Sequence, residues 1–215
     1  MKIGIFYATR EGQTRRIAEN IAIALRARGI PTDLKNLAET PAPDPACYTA
    51  IVLAASVHGG RHEPELLRFV KGHRAELDRV PTAFVSVTLS EAGAERVTAT
   101  PEERARFAAD VQRVLNNFFE AADWRPLRMK PVAGALLYTK YNFLVRFVMR
   151  RIAKKEGAET DTSRDYEYTN WAALDKFVEE FCAEILGNPT GKGCAAVGTT
   201  AQPQQTLCLA GVASS

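Results

Sequence analysis

Residues 2–28 read KIGIFYATREGQTRRIAENIAIALRAR, and this stretch sets the architecture. Lys2 to Tyr7 is a short apolar run, Thr9 to Gln13 is a polar turn containing Gly12, and from Thr14 to Arg28 the side chains of Ile17, Ile21, Ala24 and Leu25 recur at helical spacing. Gly29 suits the left-handed residue that ends a helix. Strand, short loop and helix open a βαβ unit, and the alternation continues outward. Strands are predicted over Thr32 to Leu37, the wholly apolar Ala50 to Ala55, Thr82 to Val87 and Val132 to Tyr138. Helices are predicted over Leu66 to Leu77, Pro101 to Ala122 with Phe107, Val111, Val114, Leu115 and Phe118 on one side, and Trp171 to Leu186 with Leu174, Phe177, Val178, Phe181 and Ile185. Apolar strands alternating with helices imply an α/β, doubly wound, five-stranded parallel sheet covered on both faces. Such sheets bind ligands beyond the carboxyl ends of their strands, which directs attention to the loops after the first, third and fourth strands.

Composition bounds the rest. With 215 residues, 46% of them hydrophobic and 25% charged, the chain supports one domain, assigned to residues 1–186. No apolar run approaches the roughly 18 residues of a membrane span, and the first residues lack a signal peptide's apolar stretch, so a cytoplasmic location is expected. Cys47, Cys182, Cys194 and Cys208 show neither C-x-x-C pairing nor metal-ligand spacing with histidine. No metal site and no disulfide framework are expected, and Cys182 is read as a core residue. The net charge of +3 is uneven: Lys140, Arg146, Arg150, Arg151, Lys154 and Lys155 lie in one stretch without an acidic residue, so the remainder of the chain is net negative. That stretch falls inside a connection of about residues 139–169, far longer than usual between a strand and a helix and read as a functional insertion. The tail of residues 187–215, whose only charged side chain is Lys192, is expected to be disordered.

The chemistry gathers in three loops. In Thr9-Arg10-Glu11-Gly12-Gln13-Thr14, two hydroxyls and the backbone N–H groups of a helix N-terminus make a site for a phosphate dianion, and Gly12 allows close backbone approach. The alternative is an ordinary turn with Thr14 as the helix N-cap. After the third strand, Ser56-Val57-His58-Gly59-Gly60-Arg61-His62 holds two glycines able to take positive φ and so to reorient a peptide. His58 and His62 are four apart, but off a helix this spacing argues little for metal. The third loop, Ser86-Val87-Thr88-Leu89-Ser90 with Glu91 and Ala92, is the least specific. No paired carboxylate, Cys/His pair or triad marks a catalytic acid or base.

The T-x-x-G-x-T pattern at Thr9 to Thr14 resembles the flavin mononucleotide (FMN) phosphate loop of flavodoxins, with Glu11 where that family often has a hydroxyl residue. The resemblance implies that Thr9 to Thr14 wrap the FMN phosphate, that Ser56 to Gly60 flank one side of the flavin ring with a peptide turned toward N5, and that Ser86 to Ser90 hold the other. Further stretches narrow the family. Ala54 to Val57, Arg68 to Lys71, Trp124 to Pro126, Ala133 to Leu136, Gly157 to Thr162 and Tyr168 to Trp171 are together similar to the flavodoxin-type, quinone-dependent protoporphyrinogen dehydrogenases, over about residues 1–186. That resemblance implies FMN-dependent oxidation of protoporphyrinogen IX to protoporphyrin IX in haem biosynthesis, with six electrons passed pairwise to menaquinone or ubiquinone.

On a helix from Tyr141 to Lys155, Asn142, Arg146, Arg150 and Lys154 fall on one face, while Leu144, Val148 and Ile152, flanked by Phe143 and Phe147, fall on another. A basic amphipathic helix fits an anionic membrane surface, and hence a protein peripheral to the inner face of the cell membrane. Packing against its own domain as a lid is the alternative, and the two are compatible. Arg61, Lys140, Arg146, Arg150 and Lys154 are the candidate contacts to substrate propionates or lipid. No nucleic-acid partner is expected, and the sequence sets no oligomeric state. Two other functions share these features: an electron-carrying flavodoxin without a substrate of its own, which the basic insertion disfavours, and an NAD(P)H-dependent quinone reductase.

Overall fold

The computed structural model describes residues 1–39, 43–140, 143–155 and 159–187. In chain order the elements are β1 (Ile3–Ala8), α1 (Gln13–Ala27), β2 (Thr32–Asn36), β3 (Ala50–His58), β4 (Arg61–His62), α2 (Pro64–Gly72), α3 (Arg74–Leu77), β5 (Thr82–Thr88), α4 (Leu89–Glu95), α5 (Pro101–Ala122), β6 (Arg128–Ala133), β7 (Ala135–Leu136), α6 (Phe143–Lys155), β8 (Tyr166–Glu167) and α7 (Trp171–Gly187). Five parallel strands form the main sheet in the order β2-β1-β3-β5-β6, and β4 folds back antiparallel on β3. This is the doubly wound, five-stranded parallel sheet expected from the alternation, and it is flavodoxin-like as the resemblance implies.

Burial of alternate strand residues against opposite layers explains why the strands are apolar throughout. Ile3, Ile5, Val52 and Val85 pack under α1 and α7 with Ile17, Ile21, Leu25, Leu174 and Phe181, and Cys182 joins them. Phe6, Ile51, Leu53 and Phe84 face the other way, onto Leu66, Phe69, Leu115, Phe118 and Trp124 of the α2 and α5 side. Each fully buried Ile, Leu or Phe contributes about 1.5–3 kcal/mol by leaving water. The two layers therefore hold the sheet rigid and deliver the ends of β1, β3, β5 and β6 to one edge.

Several boundaries differ from the sequence expectation. The fifth strand is Arg128–Ala133 and not Val132 to Tyr138. Its pattern of Arg128, Lys130 and Pro131 hides it, and it is tolerated because β6 pairs only with β5 and lies at the sheet edge, where a proline costs no interior ladder bond. Beyond Gly134 the chain leaves the sheet: Ala135–Leu136 pairs antiparallel with Tyr166–Glu167, making a two-stranded ribbon that carries the insertion. The predicted second helix starts earlier, with Pro64 in its first turn, and breaks at His73, which sits at φ −127° and ψ 24°. β3 runs on to His58, and α4 occupies part of the third loop, capped by Thr88 Oγ1 accepting from the Ser90 N–H at 3.2 Å. Tyr141, Asn142, Gly157, Ala158, residues 188–215 and the side chains of Leu144, Val148, Ile152 and Lys155 lie outside the described residues.

Candidate functional site

The strand order reverses between β1 and β3, and at their carboxyl ends the loops part to leave a crevice. On its β1 side, Gly12 is the N-cap of α1 at φ 93° and ψ −9°, and its N–H donates to Thr9 Oγ1 at 3.1 Å. Only glycine adopts that φ without strain, and an added Cβ would find open space, so the constraint is conformational. Thr14 falls inside the first turn of α1 with 1% of its surface exposed, and its Oγ1 is buried without a hydrogen-bond partner among the described residues. It therefore does not cap the helix, as the ordinary-turn alternative requires. The first amides of a helix also lack intrahelical acceptors, so this turn presents unpaired donors beside an unpaired hydroxyl. Gln13 turns elsewhere: its Nε2 donates to Glu167 Oε1 at 3.1 Å and to Thr169 Oγ1 at 2.9 Å, and Thr169 in turn donates to the Ala133 carbonyl at 2.8 Å.

Thr9, Glu11, Gln13 and Thr14, Ser56 to Gly60, and Val87 to Ser90 line one crevice of about 300 Å³. The three loops singled out in the sequence thus converge, with three exceptions, of which Gly12 shapes the phosphate turn without lining the crevice. Arg10 points away, its Nε donating to Glu63 Oε2 at 2.7 Å, and Ser86 is buried beneath the crevice with its Oγ 2.9 Å from His62 Nε2. Sequence reading missed Asp110, Arg113 and Val114 of α5 and Gly134, Ala135 and Leu136 after β6, which complete the lining. No motif marks a mid-helix Asp/Arg pair, whereas correct placement of the fifth strand's end would have found Gly134.

Glu63 organises the β3–β4 side. Only 3% exposed, it accepts from Arg10, from Ser56 Oγ at 2.9 Å, and lies 2.7 Å from His58 Nδ1. Burial pushes its pKa up, but the bonds from Arg10 and Ser56 and the charge of His58 outweigh burial and hold the carboxyl below its ordinary value. His58, half-buried, also lies 3.4 Å from Glu11 Oε1 through Nε2. The bond to Glu11 and the two carboxylate charges raise its pKa against the opposing effect of burial. The turn between β3 and β4 is made by Gly59 at φ 57° and Gly60 at φ 76°. His62 takes the opposite course: burial among Phe84 and Phe118, whose rings lie 5.1 and 4.9 Å away, lowers its pKa to about 4 and keeps it neutral.

The insertion is tied to the crevice without filling it. Leu136, Leu137, Tyr138 and Ala153 form a small core beside the ribbon, joined by Leu89, Tyr166 and Tyr168. Tyr138 OH donates to the Glu159 carbonyl at 2.8 Å, and Arg16 reaches Glu167 at 3.0 Å, so α1 and the ribbon are linked. Arg146 is half-buried with its Nε donating to the Tyr138 carbonyl at 3.0 Å, whereas Phe143 and Phe147 are 87% and 55% exposed beside exposed Arg150, Arg151 and Lys154. The outward face of α6 is therefore mixed aromatic and cationic, and Arg146 belongs to the inward side. Lys140 is exposed at the end of a 3₁₀ turn, and Arg61 is exposed on β4. No described helix is long and apolar enough to cross a membrane.

A family model described as a flavodoxin domain matches residues 4–163. A protein from Escherichia coli K12 named protoporphyrinogen IX dehydrogenase [quinone] is 35% identical over 192 residues, covering 89% of this chain and the whole of that relative. A Leishmania major protein of the same name is 31% identical over 186 residues, covering 86% of this chain and 76% of the relative. Among solved structures, a flavodoxin from Streptococcus pneumonia TIGR4 matches 86% of this chain and 99% of its own, at 16% identity and a TM-score of 0.45. The chain belongs to the flavodoxin-domain family and, within it, to the quinone-dependent protoporphyrinogen IX dehydrogenases.

Proposed function

We propose that this protein oxidises protoporphyrinogen IX to protoporphyrin IX with FMN bound at the Thr9 to Thr14 loop and a membrane quinone, menaquinone or ubiquinone, as acceptor. The observation that carries the reading is the match to relatives of that name across the whole length of the Escherichia coli protein, insertion included. The crevice fits the cofactor. Thr14 Oγ1 is a buried hydroxyl awaiting a partner, the first-turn amides of α1 are donors for a dianion, and Gly12 leaves open space beside them. Thr9 and Thr14 would hold the phosphate, Ser56 to Gly60 and Val87 to Ser90 would flank the ring, and Ala135 and Leu136 would help to exclude water. FMN supplies reversible two-electron chemistry, which lets one crevice serve a porphyrinogen and then a quinone.

Each two-electron oxidation also frees a proton from the substrate. His58 on the crevice wall is the group we assign to hold it: with Nδ1–H donated to Glu63, Nε2 takes the proton beside the Glu11 carboxylate, 3.4 Å away, which stabilises the charged ring, and returns it for quinol formation. On α6, the exposed pair Phe143 and Phe147 beside Arg150, Arg151 and Lys154 supports reversible docking to an anionic leaflet, where a membrane quinone resides. Cations near such a surface contribute about 1 kcal/mol each, so these three give about 3 kcal/mol before screening.

Anaerobic incubation of FMN-loaded protein with protoporphyrinogen IX and quinone analogues tests the reading. Porphyrin fluorescence should appear only with quinone present. Quinone reduction by NADPH with no porphyrin formed would instead point to a nucleotide-fed reductase, and failure of both reactions to an electron carrier.

A further inference from the structure

Beside the crevice opens a second, larger cleft of about 880 Å³, lined by Arg10, Arg61, Leu67, Val114, Phe118 and Ala121 among others, and sharing His58, Gly60 and Val114 with the crevice. Its size lies within the range of about 300–1,000 Å³ typical of small-molecule sites. Leu67 of α2 and Val114, Phe118 and Ala121 of α5 give it apolar walls. The polar groups are divided by element. Arg61 of β4 and Arg10 of the first loop supply guanidiniums; Arg61 makes no ion pair among the described residues, and Arg10 is held to Glu63 through Nε, with no partner for its two terminal nitrogens among them. Glu120, on α5, contributes a carboxylate to the other wall. The Glu63 carboxyl is buried and fully engaged, so it does not cancel Arg61.

We propose that this cleft is the tetrapyrrole site, and that Arg61, with the terminal nitrogens of Arg10, selects the substrate by its propionate carboxylates. The proposal rests on the reading given above and adds to it the place and the selecting residues. A large apolar ring bearing two carboxylates on one edge matches apolar walls with guanidiniums on one side. Arginine suits the task because its planar fork meets a carboxylate with two parallel hydrogen bonds. Glu120 repels a carboxylate and so forces the propionate edge toward β4. The shared wall at His58 and Gly60 places the macrocycle against the crevice and within reach of the proton-holding imidazole.

The experiment titrates FMN-loaded protein with protoporphyrin IX and, separately, its dimethyl ester, following porphyrin fluorescence in the dark. Arg61→Gln should weaken binding of the diacid tenfold or more, Glu120→Gln should tighten it, and neither should change binding of the diester or the FMN content. Diacid binding that Arg61→Gln leaves at the parent's affinity, or equal losses for diacid and diester, would overturn the assignment. Quinone-dependent porphyrin formation by the parent is measured alongside. If turnover persists while the titrations fail, this site is wrong and the function stands; if turnover is absent, the functional reading is what fails.

Discussion

Thr14 carries two opposed effects in one hydroxyl. A buried hydroxyl without a partner costs about 1–3 kcal/mol in the FMN-free protein, and the same hydroxyl is a ready donor to a phosphate oxygen. Thr14→Val, which keeps the shape, should therefore raise the melting temperature of the FMN-free protein while weakening FMN binding; calorimetry and equilibrium titration read the two signs, and a fall in both would place the hydroxyl in an internal bond. The histidines make a second prediction. His62, lowered to about 4 from an unfolded value near 6.5, binds fewer protons folded than unfolded between those values, so stability falls as pH drops through that window, by roughly 3 kcal/mol. His58 is raised, so its contribution is fully present below 6.5 and is lost as pH rises through its folded value. Glu63 is lowered, and its contribution is lost only as pH falls through that depressed value. Unfolding in urea should thus show a maximum slightly on the acid side of neutral, and His62→Phe should flatten the acid limb above pH 4. Imidazole resonances in Glu11→Gln/Glu63→Gln should report a His58 pKa below 6.5, because burial then acts alone. The phosphate loop was legible because hydroxyl, glycine and helix start follow one another in sequence; Glu63 was not, because its partners Arg10, Ser56 and His58 meet only across the fold.

At the scale of elements, strands buried on both faces announce themselves, and β1, β3 and β5 were found to within a few residues. β6 was not, since an edge strand needs a single apolar face and can carry Arg128, Lys130 and Pro131. The helix of the insertion was legible in existence but not in rotation. Spacing put Arg146 with Arg150 and Lys154, yet the contact to the Tyr138 carbonyl turns Arg146 inward and leaves Phe143 and Phe147 outside. These two roles separate experimentally. Arg150→Glu/Arg151→Glu/Lys154→Glu, or Phe143→Ser/Phe147→Ser, should abolish sedimentation with anionic vesicles and leave the melting temperature within about 3–6 °C of the parent, since each exposed position away from caps and cores changes stability by no more than about 0.5 kcal/mol and each kcal/mol moves the melting temperature by about 2–4 °C. Arg146→Ala should do the reverse, costing about 1.5–3 kcal/mol for a lost charged hydrogen bond while vesicle binding persists. Vesicle binding unaffected by both multiple substitutions would make the outer face of α6 plain solvated surface.

For the molecule as a whole, the crevice is where separate parts of the chain meet: β1 and α1 from the start, the β3–β4 turn and β5 from the middle, and the ribbon near the end. Gln13 stands at the junction, its backbone in the phosphate turn and its amide bonded to Glu167 and Thr169, with Thr169 bonded to the end of β6. A ligand that fastens the phosphate turn therefore also restrains the ribbon and the small core beneath the insertion. Binding to the folded state alone stabilises it by about 2.7 kcal/mol at a free FMN concentration of 100 times Kd. For a domain of this size each kcal/mol moves the melting temperature by about 2–4 °C, so saturation should raise it by about 5–11 °C. Hydrogen exchange should slow upon FMN addition at residues 9–16 and also at 134–138 and 166–169, which lie across the crevice. Gln13→Ala separates the two regions: FMN should still protect the phosphate turn, whose amides and Thr14 hydroxyl are intact, while protection of the ribbon is largely lost. Ribbon protection that survives in Gln13→Ala would mean that the restraint travels through the crevice walls at Ala135 and Leu136, and that the Gln13 bonds only decorate an already rigid junction.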